Sequence, residues 1–480
     1  MAFVTALAVG LVALALAPGR AFYFDVTPKL AALLAATALL LILAARRRRL
    51  PGAPPRFTAL LLLNAGSLAL STAFSANRGL SLYGGSWRGW GALAECAAML
   101  FAWLVARQPD AHAVLWSIAI AGVPAAIFGT LGDPGSLAVW LAMGACLAMA
   151  LAQMEPRRLW RTAAWAASAA ALAALIVTGV KSAPWAGAHG SLWRDTLSMA
   201  ADRPLAGFGS ETFLAQFPHF ESKALAQVSP DSFYESPRNA LLDTLVAQGV
   251  PGLLLLCGLT VLGMVSAWKR GEGWIAAALL AGIAGLQFTA FRIPTAILFF
   301  TTVALAVRPT ESQREPRPMP VLVTLAPFAV LALLYLALRV TVADRELVVT
   351  RRLLDARDLR AATAEYEIYW FWRLPGANAD IWYSRTWLAI ARNATNPDVR
   401  AQAMAIAVEA AARATENAEE PGPAFYNLAQ VSLAQQDYDE ARHDLRLAIA
   451  SHPNWYLPRR ALAQELLRQS RMDEERQRLR

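Results

Sequence analysis

From Met1 to about Arg339 the chain repeats one pattern, a long apolar run followed by a short polar break. From about Thr341 to Arg480 it changes to short apolar stripes at helical spacing among Ala, Arg, Glu and Asp. A helix crosses the bilayer core with about 20 mostly apolar residues. Eleven runs approach that length: residues 2–17, 30–45, 57–74, 90–106, 113–128, 137–154, 162–180, 250–268, 274–291, 293–307 and 321–338. The pattern predicts an all-α chain. Residues 1–340 form a polytopic transmembrane helix bundle of eleven spans, and residues 341–480 form a soluble helical domain. The first run has one feature of a signal peptide, since Ala15-Leu16-Ala17 resembles a cleavage site. It lacks a positively charged start and more runs follow at once, so it is read as a span. The fifth and sixth runs form a hairpin, and removing both would leave the later sidedness unchanged.

Lys and Arg in short breaks orient such a bundle, with the rich side cytoplasmic. Alternate breaks carry Arg46, Arg47, Arg48, Arg49 and Arg56, then Arg107, then Arg157, Arg158 and Arg161, then Lys269 and Arg270, then Arg308, Arg314 and Arg317. The breaks between them are poor in positive charge. The N-terminus is then cytoplasmic. The long loop 181–249 and everything after the last run are expected outside.

Composition agrees with this reading. The 480 residues are 56% hydrophobic and 16% charged, whereas a soluble chain has about 25% charged residues. The net charge of +9 does not point to nucleic acid, because the basic residues sit between apolar runs as orientation signals. Cys96, Cys146 and Cys257 all lie inside runs and act as small packing residues. No His, Cys or carboxylate set has metal-ligand spacing, so neither a metal nor another cofactor is expected.

In the C-terminal part, Leu428, Ala429, Tyr438, Ala441, Leu445, Ala448 and Pro453 fall at the spacing of a tetratricopeptide repeat. Small alanines let two helices approach, and Pro453 ends the second. A following unit shows in Leu462, Leu466 and Met472, and a weaker one precedes over residues 358–375. Such stacks hold a protein partner on a concave face, and the alternative is a plain helical cap. The aromatic runs 369–372 and 455–456 are read as repeat core.

The loop 181–249 is the only long break in the apolar part, and long loops carry function. It contains Arg194, Arg203, Pro204, the Gly207-Phe208-Gly209 turn, Phe213 and Phe217-Pro218. Then follow Asn239, Leu242 and Asp243, and Gln248, Gly249 and Gly252 leading into a run. Earlier, residues 24–29 (Phe-Asp-Val-Thr-Pro-Lys) enter the second run, and Gly85-Ser86 with Arg88 lie between the third and fourth. Over most of residues 1–310 this set resembles the O-antigen ligase and polymerase family of membrane glycosyltransferases. The chain departs from that family twice. Arg238 stands where a His normally precedes the Asn, and residues 177–182 are a remnant of the Ser-Arg-Gly element before the loop.

The resemblance implies transfer of a glycan from an undecaprenyl-diphosphate carrier to an acceptor hydroxyl. This would serve lipopolysaccharide or other surface polysaccharide assembly at the inner membrane, with the loop on the periplasmic side. The leaving group is a lipid diphosphate, and the planar fork of arginine suits it. Fixed cations at a developing charge are a large catalytic contribution. The expected diphosphate-binding residues are Arg88, Arg194, Arg203 and Arg292, with Lys181 as a further choice. The expected catalytic residues are Arg238, Arg194 and Glu235, and Gly207, Gly209, Asn239 and Asp243 form the loop motif. Each arginine has a plainer reading: Arg88 snorkelling, Arg194 exposed on a loop helix, Arg292 ending a hairpin. With Arg238 in place of His, Glu235 and His219 are the nearby groups for the acceptor proton. Glu95, inside the fourth run, is read as a partner for an arginine or a polar backbone group. Two other functions compete: a non-catalytic relative whose repeats recruit partners to polysaccharide assembly, and a transporter, which the absence of internal symmetry disfavours.

The charge alternation makes one prediction. Single cysteines at Ser232 and Ser451 should both react with an impermeant thiol reagent in intact cells. Labelling of only one of them would break the assigned parity.

Overall fold

The computed structural model describes residues 1–47, 49–108, 111–128, 130–131, 133–182, 186–228, 230, 233–309, 316–376, 379–416 and 419–478. Side chains at residues 177–188 are not described, so Lys181 and its neighbours in the Ser-Arg-Gly remnant lie outside that set, as do Arg48, Ser232 and Arg314. The chain is helical almost throughout. In order the helices are α1 Ala2–Leu14, α2 Thr27–Arg47, α3 Pro55–Ala73, α4 Arg78–Tyr83, α5 Ala92–Val105, α6 His112–Phe128 and α7 Pro134–Met154. Next come α8 Arg158–Ser182, α9 Ala186–Asp202, α10 Phe213–Gln216, α11 Lys223–Val228, α12 Ala240–Lys269, α13 Gly273–Gly285 and α14 Ile293–Val307. The last seven are α15 Pro320–Asp355, α16 Leu359–Trp372, α17 Asp380–Asn393, α18 Pro397–Glu416, α19 Pro421–Ala434, α20 Tyr438–Ser451 and α21 Tyr456–Arg478. Strand pairing among the described residues is confined to residues 49–51 against 316–318, antiparallel.

Each apolar run is carried for most of its length by a helix, although α1 stops at Leu14 and α13 at Gly285. Five helices are long and apolar enough to cross a membrane: α2, α7, Arg158–Ile176 within α8, α12 and α15. The apolar helices α1, α5, α6, α13 and α14 are shorter. In α15 only 6% of the most apolar window is buried, and Val321, Leu325, Phe328 and Leu331 are exposed. A helix apolar all round and uncovered by protein needs lipid around it. The chain is a multi-pass membrane protein.

Two compact units emerge. The first comprises residues 1–187, 203–211 and 236–374; the second comprises 188–202, 212–235 and 375–480. The helix α15 runs without interruption through residue 340, where the change in pattern occurs.

Within the first unit, the polar breaks gather in two sets. Arg107 donates to Pro51 O and lies against Met319, Arg308 pairs with Glu272, and His112 meets Glu155 at 2.7 Å. These residues come from the arginine-rich breaks. The other breaks meet one another instead. Arg292 pairs with Asp133 and Asp25, Arg88 pairs with Glu211 and Asp243, and Lys29 donates to Asp25 and Thr130 O. The far end of α15 joins this second set, where Asp344 accepts from the backbone N–H groups of Phe22 and Tyr23 at 2.8 and 2.9 Å.

In the second unit α17 to α21 form successive helix hairpins, each packed on the next. Ala403, Ala407, Ala410, Ala411 and Ala414 form a fully buried stripe on α18. Ala429, Ala441, Leu445 and Ala448 are fully buried in the α19–α20 hairpin. Segments of the long loop belong to this unit. Asn454 donates to Glu221 O at 2.6 Å, and the Phe233 ring lies 5.1 Å from His452 and 5.2 Å from Trp455.

Asp444 is buried on α20 and accepts from Ser432 Oγ at 3.2 Å. Burial pushes its carboxyl up to about 6. The folded state therefore binds a proton that the unfolded chain has already released, and stability falls as pH rises from the ordinary carboxylate range to about 6. Hydrogen exchange of the α19–α20 amides should slow as pH drops through that window, after correction for intrinsic rates. Asp444→Asn should flatten the dependence and protect these amides at neutral pH. A wild-type profile as flat as that of the variant would contradict the assignment.

Candidate functional site

The site forms where three segments of the first unit meet: the turn 84–91, the loop 203–211 and the first turns of α12. Asn239 caps α12. Its Oδ1 accepts from Leu241 N at 3.0 Å and Leu242 N at 3.2 Å, and its Nδ2 donates to Gln287 at 3.1 Å. The cap puts Asp243 one turn on, on a buried face.

The helix is broken at Gly249 (φ 71°, ψ −169°), and Pro251 follows. This frees two carbonyls. Pro251 has no N–H for Ala247 O, and Val250 N turns to Pro204 O at 2.7 Å instead of Val246 O. Buried carbonyls need partners, and the loop supplies them. Phe208 N donates to Val246 O at 2.8 Å and Gly209 N to Ala247 O at 3.0 Å, where Ser71 Oγ adds a bond at 2.5 Å. The approach is so close that a Cβ on Gly207 would strike the Ala247 carbonyl, and one on Gly249 would strike the Pro204 carbonyl. Both glycines have positive φ. At Gly209 a Cβ would meet the hydroxyls of Ser75 and Ser81.

This docking delivers Glu211 to Arg88. Arg88 Nε donates to Glu211 Oε1, Nη1 to Asp243 Oδ2 at 2.6 Å and Nη2 to Asp243 Oδ1 at 3.3 Å. Glu211 also accepts from Gly85 N at 3.2 Å. Arg88 and Glu211 are each 3% exposed. Burial works against the guanidinium charge, but Asp243 and Glu211 outweigh it and raise the Arg88 pKa above its ordinary value. A cavity of about 20 Å³ adjoins the triad, lined by Asn64, Glu95, Ser210, Asp243, Thr244 and Gln248 among others.

A second charged group lies beside the first. Arg292 Nε meets Asp133 at 2.8 Å, and Nη1 lies 3.9 Å from Asp25. The Trp87 ring joins the two groups. The Arg88 guanidinium is 4.6 Å from its centroid and that of Arg292 is 5.5 Å from it.

The structure thus brings together Arg88, Arg292, Gly207, Gly209, Asn239 and Asp243. Arg203 is exposed, stacked 4.7 Å over Phe208. Arg238 is exposed at φ 50° just before the cap, and it does not line the cavity. Arg194 and Glu235 are exposed residues of the second unit. Glu95 makes its bonds with Asn64 and Gln248 rather than with an arginine. Sequence reasoning missed Glu211, Asp133 and Trp87. The signal for Glu211 was slight: a carboxylate between the glycine turn and the apolar Phe213-Leu214.

The triad makes a prediction. Removing the cation from a buried pair leaves uncompensated carboxylates, at a cost of roughly 3–5 kcal/mol. Arg88→Ala should lower the Tm of the detergent-solubilised protein by several degrees. Adding Glu211→Gln and Asp243→Asn should recover part of that loss. A triple variant less stable than Arg88→Ala would refute the charge argument.

Compared with known proteins, residues 126–257 match the O-antigen ligase family. No curated protein matches the chain. The matched stretch contributes the glycine turn, Glu211, Asn239, Asp243 and the Gly249 break to the site, and Arg88 and Arg292 lie outside it.

Proposed function

We propose that the chain is a membrane glycosyltransferase of the ligase or polymerase kind. It moves a glycan from an undecaprenyl-type lipid diphosphate to an acceptor hydroxyl, in lipopolysaccharide or other surface polysaccharide assembly. The observation that carries this reading is that the stretch similar to O-antigen ligases supplies two carboxylates and a tight backbone turn to a buried charged site in an apolar helix bundle. In this reading the long loop and the C-terminal domain work outside the inner membrane, and the helix hairpins of the second unit, tetratricopeptide-like in spacing, hold a protein partner.

The arginines divide by role. Arg88 gives its donors to carboxylates and holds the frame. In the first unit the diphosphate falls to cations with solvent access, Arg292 beside Trp87 and the exposed Arg203 and Arg238, and Arg194 is the corresponding candidate of the second unit. Glu235 is the candidate acceptor of the hydroxyl proton. The scaffold reading draws on one observation, that Arg238 stands where the resembling family has a His.

A glycan profile of a deletion strain tests the proposal, with complementation by single variants. One lost charge-assisted contact to a diphosphate should cost roughly 1.5–3 kcal/mol, about one to two decades in transfer rate. Arg292→Ala and Arg238→Ala should show losses of that size, and the Lys variants should not restore full activity, because Lys lacks the bidentate fork. Wild-type transfer in every arginine variant would leave the scaffold reading standing. An unaltered glycan profile in the deletion strain would end both readings.

A further inference from the structure

The cavity beside the Arg88 triad is lined by two buried carboxylates, Glu95 and Asp243, together with Arg88. Arg88 is engaged by Glu211 and Asp243. Glu95, 9% exposed, receives only neutral donors, Asn64 Nδ2 at 3.2 Å and Gln248 Nε2 at 3.4 Å. No Lys, Arg or His lies within ion-pair distance of it among the described residues.

The two amides add a second, independent observation. Each turns its N–H toward Glu95, which leaves its own carbonyl oxygen over. Asn64 Oδ1 and Gln248 Oε1 are buried without a hydrogen-bond partner, and each of these residues is 3% exposed. Both side chains line the cavity. Buried acceptors are nearly always bonded, to protein or to a bound water or ion, so two such oxygens beside one small cavity call for an occupant. The backbone is shaped for this arrangement. The break at Gly249 and the bare Cα of Gly252 leave the space that the Gln248 side chain fills, and a Cβ on Gly252 would collide with it.

We infer that this cavity binds one small monovalent cation, of the sodium class. Oxygen atoms of Asn64, Gln248 and Glu95 supply the hard donors such an ion takes. A volume of about 20 Å³ admits a single water-sized body. One positive charge adds a direct partner to a carboxylate that makes no ion pair among the described residues. All three donors are oxygen, the ligand type of hard cations rather than of soft transition metals. This site goes beyond the glycosyltransferase reading and does not depend on it.

The test uses the full-length protein in detergent, melted in NaCl or in choline chloride at equal ionic strength. NaCl should raise the Tm saturably by a few degrees, with choline chloride giving no such rise. Radioactive sodium should bind at one ion per chain in equilibrium dialysis. Glu95→Gln keeps the shape of the side chain and removes its charge, and it should abolish both responses. Equal melting in the two salts, with no sodium retained, would mean that water alone fills the cavity, and overturns the inference. A Glu95→Gln protein that keeps the full sodium shift overturns it as well. If that variant does not fold, the wild-type dialysis and melting decide the matter alone.

Discussion

The buried contact of Arg88 with Glu211 and Asp243 is the interaction on which the first unit depends. It ties together three stretches far apart in sequence: a turn between α4 and α5, a short loop before α10 and the start of α12. An ion pair in a low-dielectric interior holds only when its geometry is good and its remaining donors are met. Here Asp243 accepts two bonds from the guanidinium, and the second oxygen of Glu211 accepts from the Gly85 backbone. Moving any of the three segments strands a charge. That penalty adds to the packing of the helices, which in lipid lacks a hydrophobic driving force.

The break in α12 shows how a membrane helix bundle makes room for such a site. Irregular backbone is tolerated at membrane depth only where its polar groups find protein partners. Gly249 and Pro251 open the helix, and residues 204–209 supply a replacement for each bond that is lost. The same opening carries Gln248 to Glu95. Backbone irregularity, the charged triad and the small polar cavity are therefore one feature, and glycines at 207 and 249 are its steric condition.

Much of the architecture was legible in the chain. The apolar runs locate helices because a backbone in lipid must satisfy its own hydrogen bonds. The alternation of arginine-rich and arginine-poor breaks matches the two sets into which contacts sort those breaks. Ala441 and Ala448 read as close-packing positions, and they are fully buried. These are local properties, decided by a residue and its near neighbours. The pairing of Arg88 was not legible. Its carboxylates lie more than a hundred residues away, and nothing about an arginine in a turn says whether it faces phosphate, water or another side chain.

The sequence by itself determined where the helices lie and how the polar breaks alternate, because hydrophobic periodicity and charge act over a few residues. Only the tertiary structure decided which arginines are buried and which are exposed. It committed Arg88 to an internal frame, set Arg292 beside Trp87, left Arg203, Arg238 and Arg194 exposed, and grouped parts of the long loop with the C-terminal helices. The physical reason is that the availability of a charge is a balance of desolvation against partners, and both are set by segments that the chain order does not bring together.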